Sequence, residues 1–388
     1  MQTADAVVIG AGINGAATAY NLVRRGMKRV VLLDRHVIAA GGTGKSAAIV
    51  RQHYSTPQLA AMVKRAVDIF ADFDEVIGGD AGYVACGWAF LVPDYVSDGF
   101  VQNLAMQQRL GIDTGEISKD ELLAIEPRLQ LDDVHRIAYE PGSGYADPIA
   151  TTHAYVHRFR ELGGDLRQMT TATGLTVAGG AVKAVQIGED QIATDIVVNA
   201  AGPWAGRVAA WAGVYLPIEI TREQEVVIET AACGGPPKLA FSDMAQAGYY
   251  RPDGATRTLF GRGYPKQYEH VAADSYNESA DNDFIVEAHA RLIRRIPSFK
   301  DAIFIRAFAG LYDVTPDWHP ILGVVDHVRG LHLCAGFSGH GFKIGPAIGE
   351  VMADLIMSGQ SSIDVSTLGL GRFANNELVA SAYGGNRA

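Results

Sequence analysis

Cysteine is scarce. Cys86, Cys233 and Cys334 are the only three in 388 residues, and no two share a paired spacing. That excludes a disulfide framework and a zinc site as organising principles, and it fits a reducing compartment. Long apolar runs are missing as well: no window approaches the roughly 18 uninterrupted apolar residues of a membrane helix. The N-terminus enters an apolar strand and a glycine turn directly, without the charged and apolar regions of a secretory signal. A cytoplasmic chain without a membrane span is expected. Basic excess is also absent, since 33 Lys and Arg stand against 43 Asp and Glu, a net charge of −10 with no long block of one sign. Nucleic acid and anionic membrane surfaces therefore find no positive footprint. With 48% hydrophobic and 20% charged residues the chain is globular and long enough for two domains.

What is present begins with punctuation by glycine. Ala6 to Ile9 is a short apolar run, Gly10-Ala-Gly-Ile-Asn-Gly15 follows, and Ala16, Ala17, Tyr20 and Val23 recur at helical spacing until Gly26. Val30 to Leu33 is a second buried-strand run that ends on Asp34, completing a βαβ unit. Pro57 to Phe73 reads as helix, Tyr83 to Val92 and Arg136 to Tyr139 as strands, and Ala150 to Leu162 as helix. Gly174 to Ile187 reads as a hairpin around Ala178-Gly-Gly-Ala181. Asp195 to Ala200 is an apolar strand opening into Ala201-Gly202-Pro203, and a strand-rich stretch runs from Leu216 to about Arg262. Near the end, Gly330 to Ala335 is a strand, Gly336-Phe-Ser-Gly-His-Gly341 a glycine loop, and Phe342 to Met357 a helix capped by Gly359, with Pro346 tolerable only in its first turn. Strand, glycine loop and helix thus occur at both ends of the chain. One sheet built from pieces separated in sequence explains this, with the antiparallel-looking segments inserted as a second domain.

Gly10, Gly12 and Gly15 follow an expected strand and open an expected helix, the context in which this glycine pattern binds a dinucleotide pyrophosphate on backbone amides. Asp34 lies nineteen residues after Gly15, where a carboxylate accepts hydrogen bonds from an adenosine ribose. Gly44-Lys45-Ser46 imitates the end of a phosphate-binding nucleotide loop. Ala39 stands where that loop needs its first glycine, and no strand leads directly into it, so ATP hydrolysis is rejected. Gly41 to Ala48 reads instead as a small-residue loop under the middle of a cofactor, with Gly42, Thr43, Ser46, Ala47 and Ala48 as contacts. The second glycine loop decides for FAD over NAD. A plain NAD domain completes its nucleotide contacts in one continuous block, whereas this chain returns at its far end with another loop and helix. A helix N-terminus there offers free amides and partial positive charge to a reduced flavin, worth ~0.3–1 kcal/mol or more when buried. Lys343 in that first helical turn opposes the helix dipole, which points to a functional anion nearby.

Gly10-x-Gly-x-x-Gly15 with Asp34, Asp195-Ile-Val-Val-Asn-Ala-Ala-Gly-Pro-Trp204, Gly310-Leu-Tyr-Asp-Val-Thr-Pro-Asp317 and Ala335-Gly-Phe-Ser-Gly-His-Gly-Phe-Lys343 resemble the D-amino-acid oxidase superfamily, in particular its sarcosine oxidase and glycine oxidase branch. The resemblance implies an α/β (α+β overall) fold, with a Rossmann-like FAD-binding domain interleaved with a substrate domain on a large mixed sheet. It places the FAD domain in 1–80, 145–215 and 316–388, and the substrate domain in 81–144 and 216–315. It also implies oxidation of a carbon–nitrogen bond by hydride transfer to flavin N5, with imine hydrolysis afterwards. Further cofactor contacts implied are Ile13, Asn14, Arg35, Ala172, Ala201, Gly202, Trp204, Gly310, Gly336, Gly339, His340, Gly341, Phe342 and Lys343.

Residue by residue, the resemblance makes Arg51 the holder of a substrate carboxylate, with Lys343 sharing the task. Tyr312 and Tyr250 match tyrosines that line the substrate cavity, the alternative for Tyr250 being a core aromatic with a satisfied hydroxyl. His340 reads as a structural hydrogen-bond donor rather than a base. Two departures matter. Gly310 stands where covalently flavinylated relatives carry a cysteine, so FAD is expected without a covalent bond. Leu259 stands where the family places an oxygen-activating lysine, so the electron acceptor is either O2 or a carrier. Two further readings are a flavoprotein subunit of a hetero-oligomeric complex, with partner subunits, and a non-catalytic dinucleotide-binding protein.

Overall fold

The structure, a computed structural model, describes residues 2–381; the end of the expected FAD domain at 388 lies outside the described residues. The first half of the chain runs β1 (Ala6–Ile9), α1 (Ile13–Arg24), β2 (Val30–Leu33), α2 (Pro57–Ala71), β3 (Trp88–Val92) and β4 (Arg136–Glu140). It continues through α3 (Pro148–Glu161), β5 (Val197–Asn199), β6 (Glu219–Glu229), β7 (Ala240–Asp243), β8 (Gly248–Asp253) and β9 (Arg257–Arg262). The last part holds α4 (Asn282–Arg295), β10 (Ile303–Val314), β11 (Val328–Ala335) and α5 (Gly341–Ser358). The fold is mixed α/β on two large sheets, one of ten strands and one of nine.

The ten-stranded sheet joins the two ends of the chain. β5 pairs in parallel with β1 on one side and β11 on the other, with Val197 opposite both Val7 and Leu331. β1, β2 and β5 are buried along their whole length, which is why they read as continuous apolar runs rather than alternating ones. α1 and α5 then pack against each other through glycine. A Cβ on Gly341 would lie 2.9 Å from Asn14 Nδ2, one on Gly345 2.6 Å from Ile13 Cγ1, and one on Gly349 2.6 Å from Ala17 Cβ. Four-residue spacing puts these three glycines on one helix face, so the two helix N-termini come together. Pro346 lies in the second turn of α5, not its first, and the Phe342 carbonyl thereby lacks the amide that would ordinarily meet it.

The nine-stranded sheet draws on segments between residues 88 and 314. β6 is its long spine, antiparallel to β10 over nearly its full length and to β9 over its second half. Of the expected strand from Tyr83 only Trp88–Val92 forms, after Gly87 at φ +83°. Period-two alternation gives the sheet two different faces. Phe241, Tyr250 and Phe260 pair across β7, β8 and β9 and bury against Phe284, Ala288 and Leu292 of α4. The other face carries Glu223, Glu225, Tyr249 and Tyr312 and turns toward the glycine loops. Among the described residues no helix is long and apolar enough to cross a membrane, and no cluster of His, Cys, Asp and Glu could hold a metal ion.

Candidate active site

Two cavities meet between the sheets. The larger, of about 630 Å³, starts at the C-terminal ends of β1 and β2 and reaches β10 and the N-terminus of α5. Asp34 stands at its entrance, where its carboxylate accepts the amides of Ala11 and His36, both at 2.8 Å. Beside it the Arg35 guanidinium lies 3.9 Å over the Trp204 ring, and the Trp204 indole donates to Asp274 at 2.7 Å. Bonds from Arg207 and Trp204 hold the Asp274 carboxyl down at about 2. α1 opens with Gly12 at its N-cap and no side-chain cap, while Thr43 accepts the Ile13 amide at 3.1 Å. A Cβ on Gly10, at φ +109°, would sit 2.3 Å from the Ala200 carbonyl oxygen, and one on Gly15 1.9 Å from that of Gly10. The turn is thus compressed to a width that only glycine allows. A helix start with a glycine N-cap, a glycine cradle and a carboxylate at the second strand end fit an adenine dinucleotide.

The expected cofactor contacts Gly10, Gly12, Ile13, Asn14, Asp34, Arg35, Gly42, Thr43 and Ser46 line this cavity, as do Ala172, Ala201, Gly202, Trp204, Gly310, Gly339, Gly341 and Phe342. Gly15 and Gly336 do not. Gly15 acts by letting α1 approach Gly10, and Gly336 by letting its loop cross Thr315, where a Cβ would sit 2.5 Å from Cγ2. Ala47, Ala48, His340 and Lys343 line the neighbouring smaller cavity instead. Lys45 is committed to the Tyr276 hydroxyl at 2.6 Å and Glu278 at 2.7 Å, a protein ion pair rather than a phosphate contact. Gly310 offers no nucleophile, and burial pushes the Cys334 thiol, at the cavity floor, far above its ordinary pKa.

The smaller cavity, about 210 Å³, shares Ser46, Tyr312, Gly339 and Phe342 with the larger. Arg51 and Lys343 both face it. The Arg51 guanidinium lies 4.7 Å over Tyr54 and 5.7 Å over Trp88, and it donates to the His53 carbonyl. Lys343 lines the cavity, and burial, then the charge of Arg51, push its ammonium well below the usual lysine range. His340 is held neutral by burial, Lys343 and Arg51, with Nδ1 3.1 Å from the Tyr54 hydroxyl. The acid behind Arg51 is Glu140, fully buried, accepting the Gln52 amide at 2.7 Å and the Ser143 hydroxyl at 2.6 Å. Burial raises Glu140 to about 7, so it leaves the two cations only partly balanced. Aromatic side chains, including Trp88, Phe90, Tyr249, Tyr268 and Trp318, supply much of the remaining wall.

Tyr250 is a correction. Stacked on Phe241 at 4.3 Å and fully buried in the core under α4, it lines neither cavity. Adjacent residues of a strand face opposite ways, so the cavity tyrosine of β8 is Tyr249, whose hydroxyl donates to Glu225 at 2.9 Å. Leu259 is buried between Val227 and Arg251 and also lines neither cavity. A lysine unread in the sequence does line the smaller one: Lys266, paired with Glu223. Glu223 and Glu225 were missed too. Their signal was the alternation of charge along Glu219-Ile-Thr-Arg-Glu-Gln-Glu225 in a strand that belongs to the interior.

Residues 5–355 match the DAO family, described as FAD dependent oxidoreductase. Mitochondrial sarcosine dehydrogenase of Mus musculus is 26% identical over 384 residues, which is 96% of this chain but 42% of that protein. The chain therefore spans less than half the length of that relative. Sarcosine oxidase subunit beta of Rhodobacter capsulatus is 25% identical, with 97% of this chain and 90% of that one covered. Among solved structures, L-proline dehydrogenase from P. horikoshii superposes with a TM-score of 0.89 at 28% identity, covering 97% of this chain and all of that one. Glycine oxidase from Geobacillus kaustophilus shares the fold at a TM-score of 0.83 and 20% identity, over 96% and 99% of the two chains. With the glycine cradle, the Asp34 carboxylate and the second glycine loop all on one cavity, this chain belongs to the DAO family of FAD dependent oxidoreductases.

Proposed function

We propose that the chain oxidises a small amine bearing a carboxylate, an amino acid or an N-alkyl amino acid. One observation carries this reading: Arg51 and Lys343 converge on a cavity of about 210 Å³ that opens into the dinucleotide cavity at Tyr312, Gly339 and Phe342. A guanidinium beside a lysine whose charge burial and that guanidinium both disfavour is stabilised by a bound anion, which helps the lysine to hold its proton. FAD in the larger cavity supplies the two-electron acceptor. Arg51 and Lys343 fix the carboxylate end of the substrate, and the aromatic walls exclude water from its carbon–nitrogen bond. Binding geometry does most of the work. The oxidised amine leaves as an imine that water hydrolyses.

Residues 1–80, 145–215 and 316–388 form the FAD-holding unit, and 81–144 with 216–315 the substrate unit. FAD is held without a covalent bond, in keeping with Gly310. The compartment is the cytoplasm, and electrons pass to O2 or to another acceptor. Mixing the pure protein anaerobically with sarcosine, proline, glycine and other N-alkyl amino acids bleaches the flavin absorbance. A hydroxy acid that bleaches it where no amine does would show the substrate class to be wrong.

A second reading, a flavoprotein subunit within a larger assembly, is favoured by one surface. Ile303, Phe304 and Ile305 at the start of β10 are 64%, 49% and 44% exposed, an apolar run on a strand whose one strand neighbour among the described residues is β6. Such an edge invites a partner. Stable yellow, active protein from expression of this chain alone counts against that reading.

A further inference from the structure

The wall between the two cavities carries a carboxyl group that the substrate-holding residues do not use. Glu225 projects from β6 and lines the larger cavity. Its Oε1 accepts the hydroxyl of Tyr249, at 2.9 Å, and Tyr249 lines the smaller cavity. Its Oε2 is buried without a hydrogen-bond partner. Leaving a buried carboxylate oxygen unmatched costs stability, so such a group calls for an explanation beyond packing. Glu223, two residues along the same face, is engaged differently, being paired with Lys266.

An amino acid reaches neutral solution as an ammonium, yet hydride leaves carbon only when the nitrogen lone pair is free to form the imine. A proton must therefore go somewhere. We propose, on the reading given above, that Glu225 receives the substrate's ammonium proton through the Tyr249 hydroxyl. One N–H bond of the ammonium breaks as an O–H bond forms on Tyr249, and the original Tyr249 proton passes to Glu225 Oε1. The ammonium becomes an amine, the carboxylate becomes a carboxylic acid, Tyr249 ends as it began, and no electrons change hands.

The surroundings tune Glu225 for the task. Burial raises its pKa to about 7, opposed by the Tyr249 bond and the charges of Arg251 and Arg306, and reinforced by Glu223. The strands packed on it supply these groups: β6 contributes Glu223, β8 Tyr249 and Arg251, β10 Arg306 and Tyr312, whose buried hydroxyl also meets Tyr249, while β9 places uncharged Gly261 opposite. An acceptor near the working pH is the efficient choice for proton transfer.

The test measures anaerobic flavin bleaching at saturating amine between about pH 5 and about pH 9, a range that brackets a group titrating near neutrality. The wild-type rate constant rises with pH through an apparent pKa near 7, and Glu225→Gln and Tyr249→Phe lose that limb and fall roughly a hundredfold at neutral pH. Glu140→Gln, which neutralises the other acid raised to about 7, keeps the limb. Infrared difference spectra of substrate-free Glu140→Gln protein, in which the other acid raised to about 7 is silent, give a second readout: a protonated carboxyl band vanishes as pH rises through neutrality, and adding Glu225→Gln removes it. If the wild-type flavin bleaches but Glu225→Gln retains the limb and a rate within threefold, or if that band survives the substitution, the relay is wrong while the substrate class stands. If no amine bleaches the wild type, the substrate class is wrong and the relay falls with it.

Discussion

Replacing Arg51 by Met removes the charged head that lies over Tyr54 and Trp88 while keeping an unbranched apolar stem. A hydrogen bond to a charged group contributes ~1.5–3 kcal/mol, and ~1.4 kcal/mol corresponds to a factor of ten, so carboxylate affinity falls roughly tenfold to a hundredfold. The second cation moderates this loss. Burial is the larger cause of the lowered Lys343 pKa and Arg51 the next, so Arg51→Met lets Lys343 hold its proton more readily and recover part of the attraction. The deficit is therefore nearer tenfold where Lys343 keeps its proton and widens as pH rises and Lys343 loses it. Titration with acetate, followed through the flavin spectrum, gives the dissociation constant, and acetamide serves as the uncharged control. A change below threefold for acetate, or an equal loss for acetamide, would refute the pairing of Arg51 with a carboxylate.

Acetate binding takes up protons at pH values above the depressed pKa of free Lys343, because a bound anion raises that pKa; calorimetry in buffers of different ionisation enthalpy counts them, and affinity falls by up to about tenfold per pH unit between the free and bound pKa values. Tyr250→Phe leaves flavin reduction within twofold, since its hydroxyl makes only a 3.5 Å contact with the Arg291 carbonyl, whereas Tyr250→Ala opens the core and costs ~3–5 kcal/mol by denaturant titration. Gly349→Leu forces α1 and α5 apart, lowering stability by at least ~1–3 kcal/mol and loosening FAD, read as flavin lost on gel filtration. Acid precipitation releases all flavin into the supernatant; yellow colour kept in the pellet contradicts non-covalent attachment.

Most of the cofactor half was legible because glycine leaves two independent marks in a sequence. Gly10, Gly12 and Gly15 announce a backbone that approaches a ligand, and Asp34 follows at the distance set by one helix and one strand. The second loop, Gly336 to Gly341, is legible for the same reason. Its convergence on the first needed only the apolar runs of β1 and β5 and the buried second half of β11, whose burial implies one sheet. Two details escaped. Gly341, Gly345 and Gly349 form a helix–helix contact as well as a loop, and Gly15 and Gly336 serve close approach inside the protein rather than the ligand.

The substrate half was harder, because a strand changes its meaning with a shift of one residue. Tyr249 and Tyr250 are chemically identical neighbours, and only the pairing of β8 with β7 and β9 decides which faces the cavity. Phe241 and Phe260 settle it by drawing Tyr250 into the apolar layer under α4, leaving Tyr249 to the polar face. The same register turns Glu223 and Glu225 inward, and the loop after β9 then folds back far enough to pair Lys266 with Glu223. Those contacts bridge 24 residues between Glu225 and Tyr249 and 43 between Glu223 and Lys266, far beyond any local periodicity. Arg51 and Lys343 were legible through resemblance and an ill-placed charge on a helix start; the acids were not, since a charged residue on a strand ordinarily means solvent. Their burial reverses that meaning. A sheet that spends interior positions on Glu223 and Glu225 while its opposite face is packed with Phe241, Tyr250 and Phe260 is organised around a polar ligand on one side and its own stability on the other.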